Sequence, residues 1–201
     1  MIKYNNGKTY SPRLEKKKED KKTASIKRSL SSANRGMDLE SDINASNEYY
    51  REHDLCLITK RPTPINIVKV DYSKGAIITN AYFEKQSTTD YNGVYKGRYI
   101  DFEAKQTKSK TSFPLANIPS QQIDHLKRVI AQGGIAFFII EFVARNETFL
   151  LDASYVIRFY ENGDRKSIPY DKFLEVGHQI KRGFAPRLDY LPIVDKIYVK
   201  N

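Results

Sequence analysis

Cysteine is nearly absent: Cys56 is the single one in 201 residues, so no internal disulfide braces the chain. Its place in the apolar run Leu55-Cys56-Leu57-Ile58 reads as a core position in a cytoplasmic protein. Histidine is also scarce. His53, His125 and His178, beside one thiol, cannot build the usual zinc arrangements without many carboxylates. No phosphate-cradling loop of the G-x-x-x-x-G-K-S/T type is present, which argues against ATP hydrolysis. Apolar runs stay far below the ~20 residues of a membrane-spanning helix. The longest, Ile135 to Phe142, contains Glu141 and reads as a strand. The opening MIKYNNGKTY lacks the apolar region of a secretory signal, and there is no internal repeat. What remains is the expectation of one domain, long enough to bury a proper core.

Negative charge is short as well: 24 acidic side chains stand against 34 Lys and Arg, a net +10. The excess is local. Residues 1–36 hold eleven Lys/Arg against Glu15, Glu19 and Asp20, which places +8 of the total there. That stretch is rich in Ser and Lys and poor in apolar residues, so residues 1–33 are expected to be a disordered basic arm. A solubilising tail is the ordinary explanation. Pairing with DNA phosphates, with order gained on binding, is the functional one.

The chain is organised around Ser87 to Lys105, STTDYNGVYKGRYIDFEAK. Asp90 falls on a turn, and a Gly-containing connection leads to a strand. Along that strand Ile100, Phe102 and Ala104 share one face, and Asp101, Glu103 and Lys105 share the other. Carboxylate oxygens suit a hard cation such as Mg²⁺, which keeps several waters and needs only one or two carboxylates. A neighbouring Lys can stabilise charge on a phosphate oxygen or help to activate the attacking water. From residue types alone, a solvated strand face with alternating charges is the better explanation.

An Asp, a spacer of about a dozen residues and Glu-x-Lys on a strand resemble the core of the PD-(D/E)xK nuclease superfamily. The longer string from Thr88 to Leu115, with NRGMDLE at 34–40 and APRLDY at 185–190, is similar to the RecU family, Holliday junction resolvases of Gram-positive bacteria. The similarity covers nearly the whole chain. It implies an α/β (α+β) fold: a restriction-endonuclease-like mixed central sheet flanked by helices, with a protruding β-hairpin stalk. Residues 34–201 would form a single nuclease domain, the stalk lying at about 62–86. It implies Mg²⁺, with Mn²⁺ as a substitute. Asp90 and Glu103 are the implied ligands, with Thr88 and Gln122 as weaker oxygen contributors, and Lys105 stabilises the transition state. Asp101 is left out as a flanking surface acid. Glu40 is a second-rank catalytic candidate, although a helix-terminus acid is its ordinary explanation. The implied DNA contacts are Arg35, Lys60, Lys74, Tyr82 and Phe83. The implied partners are four-way junction DNA, a second copy in a homodimer, the RecA recombinase and a branch-migration helicase, with no membrane.

Around this stretch the pattern predicts a helix over 36–53, starting near Asn34 or Gly36, and a short strand Leu55 to Thr59. Ile65 to Val70 and Ala76 to Phe83 read as a hairpin with Lys69, Tyr72, Lys74, Tyr82 and Lys85 on its exposed side. Aromatic side chains beside cations can stack on unpaired bases. A helix after Pro119 with Ile123, Leu126 and Ile130 inward ends at Gly133-Gly134. Asp152 caps a helix over Ala153–Phe159, and Tyr170 to Val176 is another. The segment 181–187 reads as a basic DNA-facing loop before a last helix. Two functions compete: a Mg²⁺-dependent structure-selective endonuclease that resolves Holliday junctions by paired nicks, and a non-catalytic DNA-binding or annealing factor that modulates a recombinase.

Overall fold

The computed structural model describes residues 38–84 and 88–199. The basic arm, Asn34, Arg35, Gly36 and Lys85 lie outside the described residues. The first helix, α1 (Asp38–Glu52), buries Leu39, Ile43 and Tyr50 along one stripe, the spacing that made it predictable. β1 follows (Leu57–Lys60), and then a hairpin of β2 (Ile65–Asp71) and β3 (Ile77–Phe83). Next come β4 (Tyr91–Tyr95) and β5 (Arg98–Thr107). They are joined by Lys96-Gly97 with φ of 48° and 74°, the positive pair that a tight hairpin turn requires. Tyr91-Asn92-Gly93, expected on the turn, is therefore strand. Gly93 faces Ile58 of β1, and a Cβ there would sit 1.9 Å from the Leu57 carbonyl oxygen, so no other residue fits.

After a short β6 (Ser112–Pro114), α2 (Ser120–Ala131) carries the chain across to β7 (Ile135–Phe142), which lies parallel to β5. The remaining elements are β8 (Glu147–Asp152), α3 (Ala153–Asn162), β9 (Ser167–Pro169), α4 (Tyr170–Val176), β10 (His178–Gln179), β11 (Lys181–Arg182), β12 (Leu188–Asp189) and α5 (Leu191–Tyr198). Asp152 caps α3 by accepting the Ser154 N–H at 2.8 Å. The central sheet runs β1-β4-β5-β7-β8-β10, and every pair except β5–β7 is antiparallel. The expected mixed sheet flanked by helices is thus observed.

Two apolar layers sandwich the sheet. On one face Leu39 and Tyr50 of α1 and Leu191 and Val194 of α5 pack with Ile100, Phe102, Phe137 and Ile139. On the other, Ile123, Leu126 and Val129 of α2, Val156 of α3 and Phe173 of α4 pack with Phe138, Ile140 and Leu151. Phe102 stacks between Tyr91 and Phe137, with ring centroids 4.9 and 4.6 Å away. Cys56 is half-buried against the first layer, and burial pushes its thiol up to about 11.

Segment 181–187 departs from expectation. It belongs to a small hairpin, β11–β12, whose arginines are already engaged. Arg182 donates to Asp42 at 2.7 Å and to Glu141, and Arg187 donates to Asp42 at 3.0 Å. Two buried carboxylates need those cations, so the loop's charge is largely spent within the protein. Among the described residues no helix is long and apolar enough to cross a membrane.

Candidate active site

The two strands bring the centre of the sequence pattern together. Asp90 immediately precedes β4, and Glu103 lies on the antiparallel partner β5, opposite the start of β4. The Asp90 backbone N–H donates to Glu103 Oε2 at 3.0 Å, and Asp90 Oδ2 accepts the Ala104 N–H at 3.3 Å. Lys105 Nζ stands 2.6 Å from Glu103 Oε1. Alternation had put Asp101, Glu103 and Lys105 on one face, and they are there. That face is not solvated: Glu103 and Asp101 are fully buried, because α2 covers it.

Gln122, expected as a weaker oxygen contributor, is buried in the first turn of α2. Its Nε2 donates to Glu103 Oε1 at 2.8 Å and reaches the Thr88 carbonyl at 3.5 Å. Its Oε1 is buried with no hydrogen-bond partner. An orphaned amide oxygen is costly unless something else uses it. Beside two carboxylates, it fits a hard cation or that cation's water. No group of three or more His, Cys, Asp or Glu side chains able to hold an ion occurs among the described residues. The oxygens gathered here, those of Asp90 and Glu103 with the Gln122 amide and the Thr88 carbonyl, are hard donors of a kind that suits Mg²⁺ better than zinc.

Electrostatics point the same way. Burial, and then the charge of Asp90, raises Glu103 from 4.5 to about 8, although Lys105 pulls it down. Tyr91, beneath the site, is raised out of its ordinary range by burial and by the charges of Glu40, Asp90 and Glu103. Glu40 thus acts on the same tyrosine as the two carboxylates, but it is exposed and accepts from Lys60 Nζ at 2.5 Å. Lys60, expected as a DNA contact, is engaged in that pair.

Of the other expected DNA contacts, Lys74 lies in the exposed turn of the β2–β3 hairpin, and Tyr82 and Phe83 stand 61% and 78% exposed on β3. Arg35 lies outside the described residues. The sequence reading missed Asp101. It is not a surface acid but a buried hub that takes hydrogen bonds from Arg61, Tyr99, His125 and Thr89. The strand's alternation placed Asp101 beside Glu103, but only α2 and the segment after β1 bury it.

The chain is similar to known proteins. A profile of the family described as "Recombination protein U" matches residues 34–196. A protein of Geobacillus kaustophilus (strain HTA426) named "Holliday junction resolvase RecU" is 51% identical over 202 residues, covering 98% of each chain. A relative of the same name from Bacillus licheniformis is 50% identical over 204 residues, again covering 98% of each. Among solved structures, the Holliday junction resolvase Hjc of Archaeoglobus fulgidus aligns at a TM-score of 0.37 and 12% identity, over 67% of this chain and 86% of that one. The match to the family profile and the near-full-length identity to its members place this chain in the RecU family, recombination protein U.

Proposed function

We propose that this chain is a Mg²⁺-dependent, structure-selective endonuclease that resolves Holliday junctions by paired symmetric nicks during recombinational repair. One observation carries the reading: Asp90, Glu103, Lys105 and the partnerless Gln122 oxygen meet in one covered site. Asp90 and Glu103 would hold the cation with Gln122 and the Thr88 carbonyl as further oxygens. When bound, the ion polarises the scissile phosphate and lowers the pKa of water. Lys105, held against Glu103 and one-fifth exposed, keeps its ammonium where negative charge develops on a phosphate oxygen. Glu103 and Gln122 hold each other in place through the 2.8 Å bond, so the donors are preorganised.

The exposed hairpin residues Lys74, Tyr82 and Phe83 offer a charge and two rings to the open centre of a junction. Two symmetric cuts need two equivalent sites at a fixed separation, which a two-fold homodimer supplies. The names of the relatives support the junction as substrate. Family resemblance alone supports modulation of RecA.

The test is cleavage of a synthetic four-way junction against a linear duplex, with and without Mg²⁺, in samples whose mass is followed by light scattering. The expected result is Mg²⁺-dependent junction cutting by a dimer. Asp90→Asn abolishes cutting and leaves junction binding in place. Wild-type rates from that variant sink the nuclease reading. Junction binding without any cleavage instead favours the non-catalytic factor, and a monomer that cuts removes the dimer.

A further inference from the structure

The three side chains expected to meet the cation come from three different elements, and one residue outside that set lies on one of them and bonds to the other two. Asp101 lies two positions before Glu103 on the same face of β5 and is fully buried. Its Oδ1 accepts from Thr89 Oγ1, the residue before Asp90. Its Oδ2 accepts from His125 Nε2 at 2.9 Å, and His125 lies one turn beyond Gln122 on α2. The same oxygen accepts from Arg61 Nη2 at 2.6 Å and from Tyr99 Oη at 2.7 Å. Arg61 returns to the site by its backbone, its N–H donating to the Asp90 carbonyl at 2.7 Å. Both carboxylate oxygens are thus in use, and the Arg61 guanidinium supplies the countercharge that a buried carboxylate requires.

From this geometry we infer that Asp101 is a positioning residue for the cation site, fixing the 88–90 turn, the first turn of α2 and β5 relative to one another. The inference rests on the nuclease reading above but is not contained in it. A cation that keeps most of its waters is held by few direct ligands, so affinity depends on how well those ligands are preplaced. The turn is the element most in need of such help. Asp90 precedes β4, and besides its own bonds with Glu103 and Ala104 its turn is tied by the Thr89 hydroxyl and the Arg61 N–H on either side. The Thr89–Asp101 link predicts a defined consequence: removing the buried hydroxyl loosens the turn without removing a ligand or the Arg61 countercharge.

Thr89→Val, Thr89→Ser and Asp101→Asn test this. Two readouts are taken on the full-length chain: the Mg²⁺ concentration that half-saturates the protein alone, followed by calorimetry or by the Mg²⁺-induced rise in melting temperature, and junction affinity in EDTA. Thr89→Val is expected to raise the half-saturating Mg²⁺ roughly tenfold, the scale of losses when a ligand's supporting partner goes. Thr89→Ser restores the wild-type value, and junction affinity in EDTA stays unchanged in all three. Asp101→Asn raises the requirement by at least as much, since its four hydrogen bonds weaken together. Wild-type Mg²⁺ response from a folded Thr89→Val overturns the proposal, and so does an Asp101→Asn that only lowers the melting temperature. A wild-type chain that neither binds Mg²⁺ nor cuts junctions would instead remove the nuclease reading itself.

Discussion

Strand β5 and the β2–β3 hairpin are written in the same alphabet and meet opposite fates. Both mix branched, aromatic and charged residues in near alternation: RYIDFEAKQT in one, INIVKVD and IITNAYF in the other. In β5 both faces are covered from Ile100 to Glu103, and even the carboxylates of Asp101 and Glu103 are shut away from water. In the hairpin nearly every side chain is exposed, including Ile67, Val68, Ile77, Ile78, Tyr82 and Phe83. The hairpin pairs only with itself, closed at its base by the Glu84 N–H on the Pro64 carbonyl at 3.0 Å. Apolar side chains left in water contribute little to holding a fold, because no apolar surface is removed from solvent. Exposed apolar side chains in such number are what a binding surface would offer. The molecule thus keeps the carboxylates of β5 inside and the rings of the hairpin outside.

Single truncations break the comparison most sharply. Phe102→Ala empties a site stacked between Tyr91 and Phe137 and is expected to cost about 4 kcal/mol of stability, read from denaturant unfolding. The equivalent deletion on the hairpin, Tyr82→Ala, is expected to stay within about 0.5 kcal/mol, while weakening junction binding. A hairpin variant as destabilising as the core one shows that the stalk is covered in solution.

A smaller effect concerns charge. The folded chain raises Glu103 from 4.5 to about 8, so protonated Glu103 favours folding. That contribution is complete below pH 4.5 and is lost as pH climbs through 8. Without divalent ions, the melting temperature of the wild type should fall over this range relative to Glu103→Gln, by about 5 °C. Parallel curves for the two proteins mean that Glu103 is solvated. Smallest is Glu40→Gln, which breaks an exposed pair with Lys60 and shifts stability by no more than about 0.5 kcal/mol. A tenfold fall in cleavage at unchanged stability makes Glu40 part of the site, and wild-type cleavage leaves it a helix-terminus acid.

Much of the architecture was legible because it is written locally. Apolar spacing marked α1 and α2, Asp152 marked the start of α3, and the run Ile135 to Phe142 announced the buried central strand. Residue types and the Asp-spacer-Glu-x-Lys pattern singled out Asp90, Glu103 and Lys105. Period-two alternation assigns side chains to faces, but it says nothing about what lies against each face. Whether Asp101 is a surface acid or a buried hub, whether Gln122 points at water or at Glu103, and whether Arg182 is free for DNA or bound to Asp42 depend on segments 19 to 140 residues away. Such contacts exist only once the sheet has closed and the helices have covered it. The order of residues therefore determined which groups could do chemistry, and only the packed fold decided which of them meet.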